Sequence, residues 1–378
     1  RRSTTSGGRI SQGKRMQSER KRIRVLVVDD SALVRKLISN LLEKDPHLEV
    51  IATAIDGSFA LSKVEQLKPD VVTLDVDMPR MDGMTALAEM VSKHRVPVIM
   101  LSSLTTRGAA LTIQALEKGA VDFVCKPSGA DRLSEMANEL VSKIKAAART
   151  NVQALSRSMQ APAPVTKNFG AVGRRGGQGK VVAIGASSGG PHALRHLLPR
   201  IPADLDAGIV IVQHMPESFT AMLARWLNEI CQLEVKEAEP GDLAIPGTAL
   251  IAPGNLHMKV RRTPMGCEVL LEGGAPVNGH KPSVDVLFRS VAEEYGTLAT
   301  GIIMTGMGSD GAQGLGEIKN AGGHTVAQDK DSCAVYGMPR IALERGYANT
   351  IVPLAEMASY LSFKVGRLGA LEESYARR

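Results

Sequence analysis

Three short apolar runs in the first third of the chain each stop on residues able to do chemistry: RVLVVDD (24–30), VVTLDVDMPRMDG (71–83) and VDFVCKP (121–127). Helical stripes lie between them. SALVRKLISNLLEK (31–44) has apolar residues at 33, 34, 37, 38, 41 and 42, the spacing of a helix with one buried face, and Ser31 stands at its N-cap position. Strand-like LEVIATA (48–54) follows, then helical patterns near 58–67, 84–92 and 107–118 around the strand VPVIML. Such alternation predicts a parallel sheet with helices on both faces. In a parallel sheet Asp29, Asp30, Asp75 and Lys126 all converge on the carboxyl edge, where open α/β sheets bind ligands.

Gathered carboxylates repel one another, and a hard cation relieves the repulsion. Mg²⁺ prefers oxygen ligands from one or two carboxylates together with phosphate and water. A lysine beside them suits a phosphoryl oxygen. The cluster is therefore expected to place a phosphoryl group on a carboxylate.

Beyond residue 150 the composition turns to Ala, Pro, Gln, Gly and Arg (SMQAPAPVTKNFGAVGRRGGQGK), which reads as a linker. A second alternating region then begins at KVVAIGAS (180–187) and runs through GIVIVQH (208–214), TALIAPG (248–254), HMKV (257–260), CEVLLEGG (267–274), TLATGIIMTG (297–306) and HTVAQD (324–329). Helices are expected near 218–230, 284–295, 311–320 and 354–367. The expected organisation is a basic leader or tag over 1–22, a first domain over 23–142, a linker over 143–179, a second domain over 180–370 and a tail over 371–378. Met16 is a candidate start.

The formal charge of +7 raises a nucleic-acid reading, but residues 1–24 alone carry nine Lys/Arg against one Glu, leaving the rest of the chain at −1. No nucleic-acid partner is expected. No apolar run is long enough to span a membrane, so direct insertion is not expected either. Cys125, Cys231, Cys267 and Cys333 show neither metal spacing nor a disulfide pattern, which suits a reducing cytoplasm.

GASSGGPHAL (185–194) follows a strand and opens a helix, matching G-x-S-x-G at Gly185, Ser187 and Gly189. Glycines permit a sharp turn that lifts a serine hydroxyl from the sheet edge, and amides at a helix start suit an oxyanion. A glycine-rich turn can also cradle a dinucleotide phosphate, but GASSGG is not G-x-G-x-x-G. A nucleophilic serine needs a base and the base an orienting acid. His214 ends GIVIVQ, and Asp310 lies in MTGMGSDGAQG, so Ser187, His214 and Asp310 would share one sheet edge. Ser188 is the neighbouring hydroxyl. His257, His280 and His324 are rival histidines, Asp285 and Asp329 rival acids. His192 and His196, on the helix after the turn, are expected to pack or lie at the surface.

Residues 23 to 127 resemble the receiver domain of two-component response regulators. The resemblance implies that Asp75 accepts phosphate from a histidine kinase. Asp29 and Asp30 would hold Mg²⁺, with Asp30 the direct ligand and the Asp77 carbonyl completing the set. Ser102, ending VPVIMLS, and Lys126 would be the switch residues. Farther on, GASSGG, VQHMPESFT, APGNLHM, KPSVDVLF, MTGMGSDGA and GGHTVAQD together resemble the catalytic domain of the chemotaxis protein-glutamate methylesterases, which also carry an N-terminal receiver. That resemblance implies Ser187 as nucleophile, His214 as base, Asp310 as orienting acid, Met307 as backbone oxyanion donor and Ser188 as support, with no cofactor in this domain. Two departures stand out: Ser188 where the family often has threonine, and Lys281 where arginine often precedes the proline. A lysine keeps the charge but not the planar fork.

The implied fold is two doubly wound parallel-sheet α/β domains, a flavodoxin-like receiver and a Rossmann-like serine-hydrolase domain. The implied activity is phosphorylation-activated hydrolysis of glutamyl methyl esters, with glutamine deamidation, on cytoplasmic regions of chemoreceptors, in adaptation of chemotaxis-type signalling. Its expected place is the cytoplasm, recruited to membrane receptor arrays.

Overall fold

The computed structural model describes residues 22–126, 133–150 and 179–366. Residues 1–21 of the leader, 151–178 of the linker, Pro127 and the tail named above lie outside the described residues.

The first sheet has strands β1 (Ile23–Val28), β2 (Leu48–Ala54), β3 (Val71–Asp75), β4 (Val98–Ser102) and β5 (Asp122–Cys125), all parallel, in the order β2-β1-β3-β4-β5. Helices α1 (Ala32–Leu42), α2 (Gly57–Leu67), α3 (Gly83–Glu89), α4 (Thr106–Glu117) and α5 (Leu133–Ala147) connect and cover it. Ser31 accepts from the Val34 amide, and Asp56, Asp82 and Thr105 do the same for α2, α3 and α4. The helical stripe expected over 84–92 ends as α at Glu89 and closes with a π turn over Met90–His94.

The second sheet is also parallel and has seven strands. In chain order they are β6 (Val181–Ala186), β7 (Gly208–Gln213), β8 (Glu234–Glu237), β10 (Thr248–Ile251), β13 (Ala299–Ile303), β14 (His324–Gln328) and β15 (Thr350–Val352). Their spatial order is β15-β14-β13-β6-β7-β10-β8. Helices α6 (Gly190–Leu197), α7 (Phe219–Ile230), α8 (Val284–Tyr295), α9 (Ala312–Asn320), α10 (Met338–Glu344) and α11 (Leu354–Val365) pack around it. A separate antiparallel sheet of β9 (Leu243–Ala244), β11 (His257–Thr263) and β12 (Gly266–Glu272) sits beside it. HMKV and CEVLLEGG, expected among the alternating strands, belong to this ribbon. RRTPMG supplies its tight turn, with Gly266 at φ 145°.

Both sheets reverse strand order at the first strand of each, and a crevice opens at such switch points beyond the carboxyl ends. In the first sheet β1 lies between β2 and β3; in the second β6 lies between β13 and β7. The strands are buried on both faces and read as continuous Val/Ile/Leu runs rather than alternating ones.

One apolar cluster crosses from the first sheet to the second. Phe123 on β5 stacks on Phe219 at the start of α7, ring centroids 4.8 Å apart and 3° from parallel. His192 Nε2, on α6, lies 2.7 Å from the Ala120 carbonyl. Helix α4 packs on α7.

Candidate active site and phosphoacceptor site

At the edge of the first sheet Lys126 Nζ lies 2.7 Å from Asp29 Oδ2 and 2.8 Å from Asp75 Oδ2. Asp29 and Asp75 are buried and Asp30 is exposed. Each of the three offers a carboxylate oxygen within 4.8 Å of the others. Burial, with the Asp29 charge beside it, pushes Asp75 up to about 6 against the pull of Lys126. Burial alone would lower Lys126, but the two carboxylates outweigh it and raise the ammonium. One lysine therefore leaves the cluster short of positive charge, and a hard divalent cation fits that deficit.

Asp77 sits two residues past Asp75 on the loop to α3; its side chain is 61% exposed, 3.6 Å from Arg107. That same loop is tied down by Arg80, which pairs with the fully buried Asp56. Ser102 Oγ is turned toward α4, donating to the Gly108 carbonyl at 3.1 Å and accepting from Thr112 Oγ1 at 2.7 Å. Thr112 is a partner that the sequence did not single out.

At the edge of the second sheet, strand register sets the Ser187 and His214 backbones side by side, and Asp310, on the loop after β13, meets His214. The Ser187 amide donates to the Thr305 carbonyl just past β13, and the His214 amide donates to the Ala186 carbonyl at the end of β6. Gly189, at φ 73°, makes the turn into α6. Gly306 lets β13 approach: a Cβ there would lie 2.7 Å from Ser187 Cβ. Gln213 Nε2 donates to the Ser187 carbonyl at 2.8 Å and to the His214 carbonyl at 3.2 Å, fastening turn to strand. Thr305 Oγ1 donates to the Ser188 carbonyl at 2.9 Å.

His214 donates from Nε2 to Asp310 Oδ2 at 2.8 Å. Its Nδ1 is buried and carries no hydrogen bond. The Asp310 carboxylate also accepts from the Val284 amide (2.7 Å), Ser283 Oγ (2.8 Å), Asn278 Nδ2 (2.9 Å) and the Asp285 amide (3.3 Å). Two of these donors are amides at the start of α8, where the helix dipole favours negative charge. Burial opposes ionisation, but His214, Asn278 and Val284 outweigh it and hold Asp310 well below the usual carboxylate range.

The rival residues have other partners. His257 accepts from the Ser283 amide and donates to the Ala275 carbonyl. His324 contacts the Tyr360 hydroxyl. His280 stacks on His214. Asp285 accepts from Asn278 and the Gly314 amide, and Asp329 caps its own turn. Met307 follows Gly306 and is exposed. The sequence does not single out Gln213, Asn278, Ser283 or Thr305. Only Asn278 carries a local signal, the Asn-Gly pair of a tight hairpin turn.

A phosphoacceptor-type sheet joined to a sheet with a Ser–His–Asp edge defines a receiver-linked hydrolase of α/β class. Residues 182–361 match the family described as CheB methylesterase, and residues 25–138 that described as response regulator receiver domain. A protein-glutamate methylesterase/protein-glutamine glutaminase from Koribacter versatilis is 51% identical over 350 residues, covering 90% of this chain and 95% of that one. One from Archaeoglobus fulgidus is 48% identical, covering 89% and 96%. The crystal structure of the Thermotoga maritima CheB methylesterase catalytic domain is 39% identical, with a TM-score of 0.47, covering 48% of this chain and 97% of that one. The chain belongs to the protein-glutamate methylesterase/protein-glutamine glutaminase family.

Proposed function

We propose that the chain hydrolyses glutamate methyl esters on chemoreceptors, and deamidates glutamines there, under control of phosphorylation at Asp75. The observation that supports the chemistry is the His214–Asp310 pair: Nε2 is held by Asp310, and Nδ1 is buried and carries no hydrogen bond, so it is the ring nitrogen assigned to take the serine proton. Ser187 Oγ attacks the ester carbonyl while Nδ1 takes its proton. The C–Oγ bond forms and the carbonyl electrons move onto oxygen, where the Met307 amide is the assigned donor and Ser188 the supporting residue. Collapse breaks the bond to methoxide, which leaves as methanol with the proton from Nδ1. Water, deprotonated by the same nitrogen, then splits the acyl-enzyme and returns Ser187 and glutamate. For glutamine the leaving group is ammonia and the acyl-enzyme is the same.

Asp75 is assigned as the acceptor, with a histidine kinase as donor. Asp29, Asp30, Asp75 and the Asp77 carbonyl would hold Mg²⁺, which supplies charge neutralisation for phosphoryl transfer. Lys126 would pair with a phosphoryl oxygen, and Ser102 would turn toward it and away from Thr112. Helix α4 carries Gly108 and Thr112 and packs on α7, which begins at Phe219, shortly after His214. A change at Ser102 therefore has a short route to the hydrolase. Among the described residues no helix is long and apolar enough to cross a membrane. Action on receptor arrays would therefore rest on recruitment.

Methanol released from methylated receptor membranes, with and without acetyl phosphate and Mg²⁺, tests both parts. Release should rise with the phosphodonor, vanish in Ser187→Ala and become unresponsive in Asp75→Asn. Persistent release from Ser187→Ala would move the nucleophile elsewhere; undiminished activation of Asp75→Asn would remove the acceptor.

A further inference from the structure

Nothing in the hydrolytic scheme uses His280, yet its ring lies flat on that of His214, with centroids 3.8 Å apart and planes 8° from parallel. We propose that His280 is a positioning residue for the base, fixing the plane of the ring that Asp310 holds through Nε2. The proposal rests on the reading of His214 as base.

The local sequence explains how a loop residue is held so closely. Val277 and His280 exchange both backbone hydrogen bonds, at 3.0 and 2.9 Å, across Asn278 (φ 53°) and Gly279 (φ 79°). Two consecutive positive φ values are what a type I′ hairpin turn needs, and Asn-Gly is its favoured pair. The turn is anchored from several directions. Asn278 Nδ2 donates to Asp310 Oδ1 and Asp285 Oδ2. Lys281 Nζ donates to the Gly274 carbonyl, and His257 donates to the Ala275 carbonyl. Residues 274–283 thus form a strap whose fixed point is the orienting acid and whose ring covers the base.

His214 needs such a support. Among the described residues its side chain's one hydrogen bond runs through Nε2, and that bond alone does not set the plane of the ring. The flat ring against its face sets that plane. The covering ring also has to stay neutral, because two imidazolium ions face to face would repel. Burial, reinforced by His214, pushes His280 down to about 4, so at neutral pH it presents an uncharged π face to His214, including when His214 carries the serine proton.

The test compares His280→Phe, which keeps a flat ring, with His280→Leu, which keeps apolar bulk without one. Both are made in the full chain and assayed with acetyl phosphate for methanol release from methylated receptor membranes. Inactivation by phenylmethanesulfonyl fluoride reads serine reactivity without a receptor. Small misplacements of a catalytic group can lower rates by on the order of 10²-fold. His280→Leu should therefore lose about 10- to 100-fold in kcat and in inactivation rate, with KM within about twofold. His280→Phe should recover both rates to within about threefold. Equal behaviour of the two variants, or a change confined to KM, would overturn the proposal. Ser187→Ala is run alongside. Release that survives it sinks the assignment of the site itself; if release is lost, the contrast between the Phe and Leu variants decides the role of His280.

Discussion

At the scale of single residues, Asp310 has the most consequences. Its two oxygens accept five hydrogen bonds, from His214, Val284, Ser283, Asn278 and Asp285. Asp310→Asn replaces an acceptor with a partial donor and removes the group that holds the proton on His214 Nε2. Esterase kcat should fall by on the order of 10⁴-fold. Stability should drop as well, by about 2 kcal/mol in urea unfolding, because the one remaining oxygen leaves at least one buried donor without an acceptor. His280 gives the pH dependence. Its folded pKa of about 4 lies below the ordinary histidine value of 6.5, so the folded state binds fewer protons between these values. Stability from this group is therefore full above about pH 6.5 and falls as pH drops toward 4, by up to about 3 kcal/mol. Urea unfolding at pH 7 and pH 4.5 should show a smaller acid loss in His280→Phe than in the unsubstituted chain.

At the scale of elements, α4 and the strap are the parts whose wiring the sequence conceals. Carboxyl ends of strands are legible because an apolar run that stops on Asp, Lys, Ser or His says where the side chain emerges; Asp29, Asp75, Lys126, Ser187 and His214 are all of this kind. Gln213 and Thr305 look like ordinary strand-end polar residues, and only the register of β6 against β7 and β13 reveals what they hold. Thr112 sits on the buried face of α4 and reads as helix packing until Ser102 is seen turned toward it. Thr112→Val keeps the shape and deletes the hydroxyl that donates to Ser102. The α4-facing position of Ser102 should weaken by about 1 kcal/mol. Half-maximal activation should then need several-fold less acetyl phosphate, read from a dose–response of methanol release; an unchanged midpoint would separate Thr112 from the switch. The antiparallel ribbon escapes a reading based on alternation because an antiparallel pair needs only a tight turn, not a helix, between its strands.

At the scale of the whole molecule, the sequence announces two sheets but not how they meet. Phe123 and Phe219 sit in unremarkable strand and helix positions, and nothing in their local patterns pairs them. Their stacked contact joins the phosphoacceptor sheet to a helix that begins at Phe219, one short loop beyond His214. Phe123→Ala should loosen that contact. Activity without phosphodonor should rise toward the phosphorylated level, and the added effect of acetyl phosphate should shrink. A double-mutant cycle with Phe219→Ala should return a coupling of about 1 kcal/mol.

Because one apolar cluster continues from sheet to sheet, with Phe219 and Leu223 fully buried in it, parting the two halves would wet hydrocarbon surface. Switching on would then be a hydration event as much as an electrostatic one. Exposed apolar area raises heat capacity, so the balance between resting and active forms should curve with temperature rather than follow a straight van't Hoff line. Adaptation in a signalling pathway built on this protein would inherit that curvature, with a thermal response set by an oily seam lying outside both chemical sites.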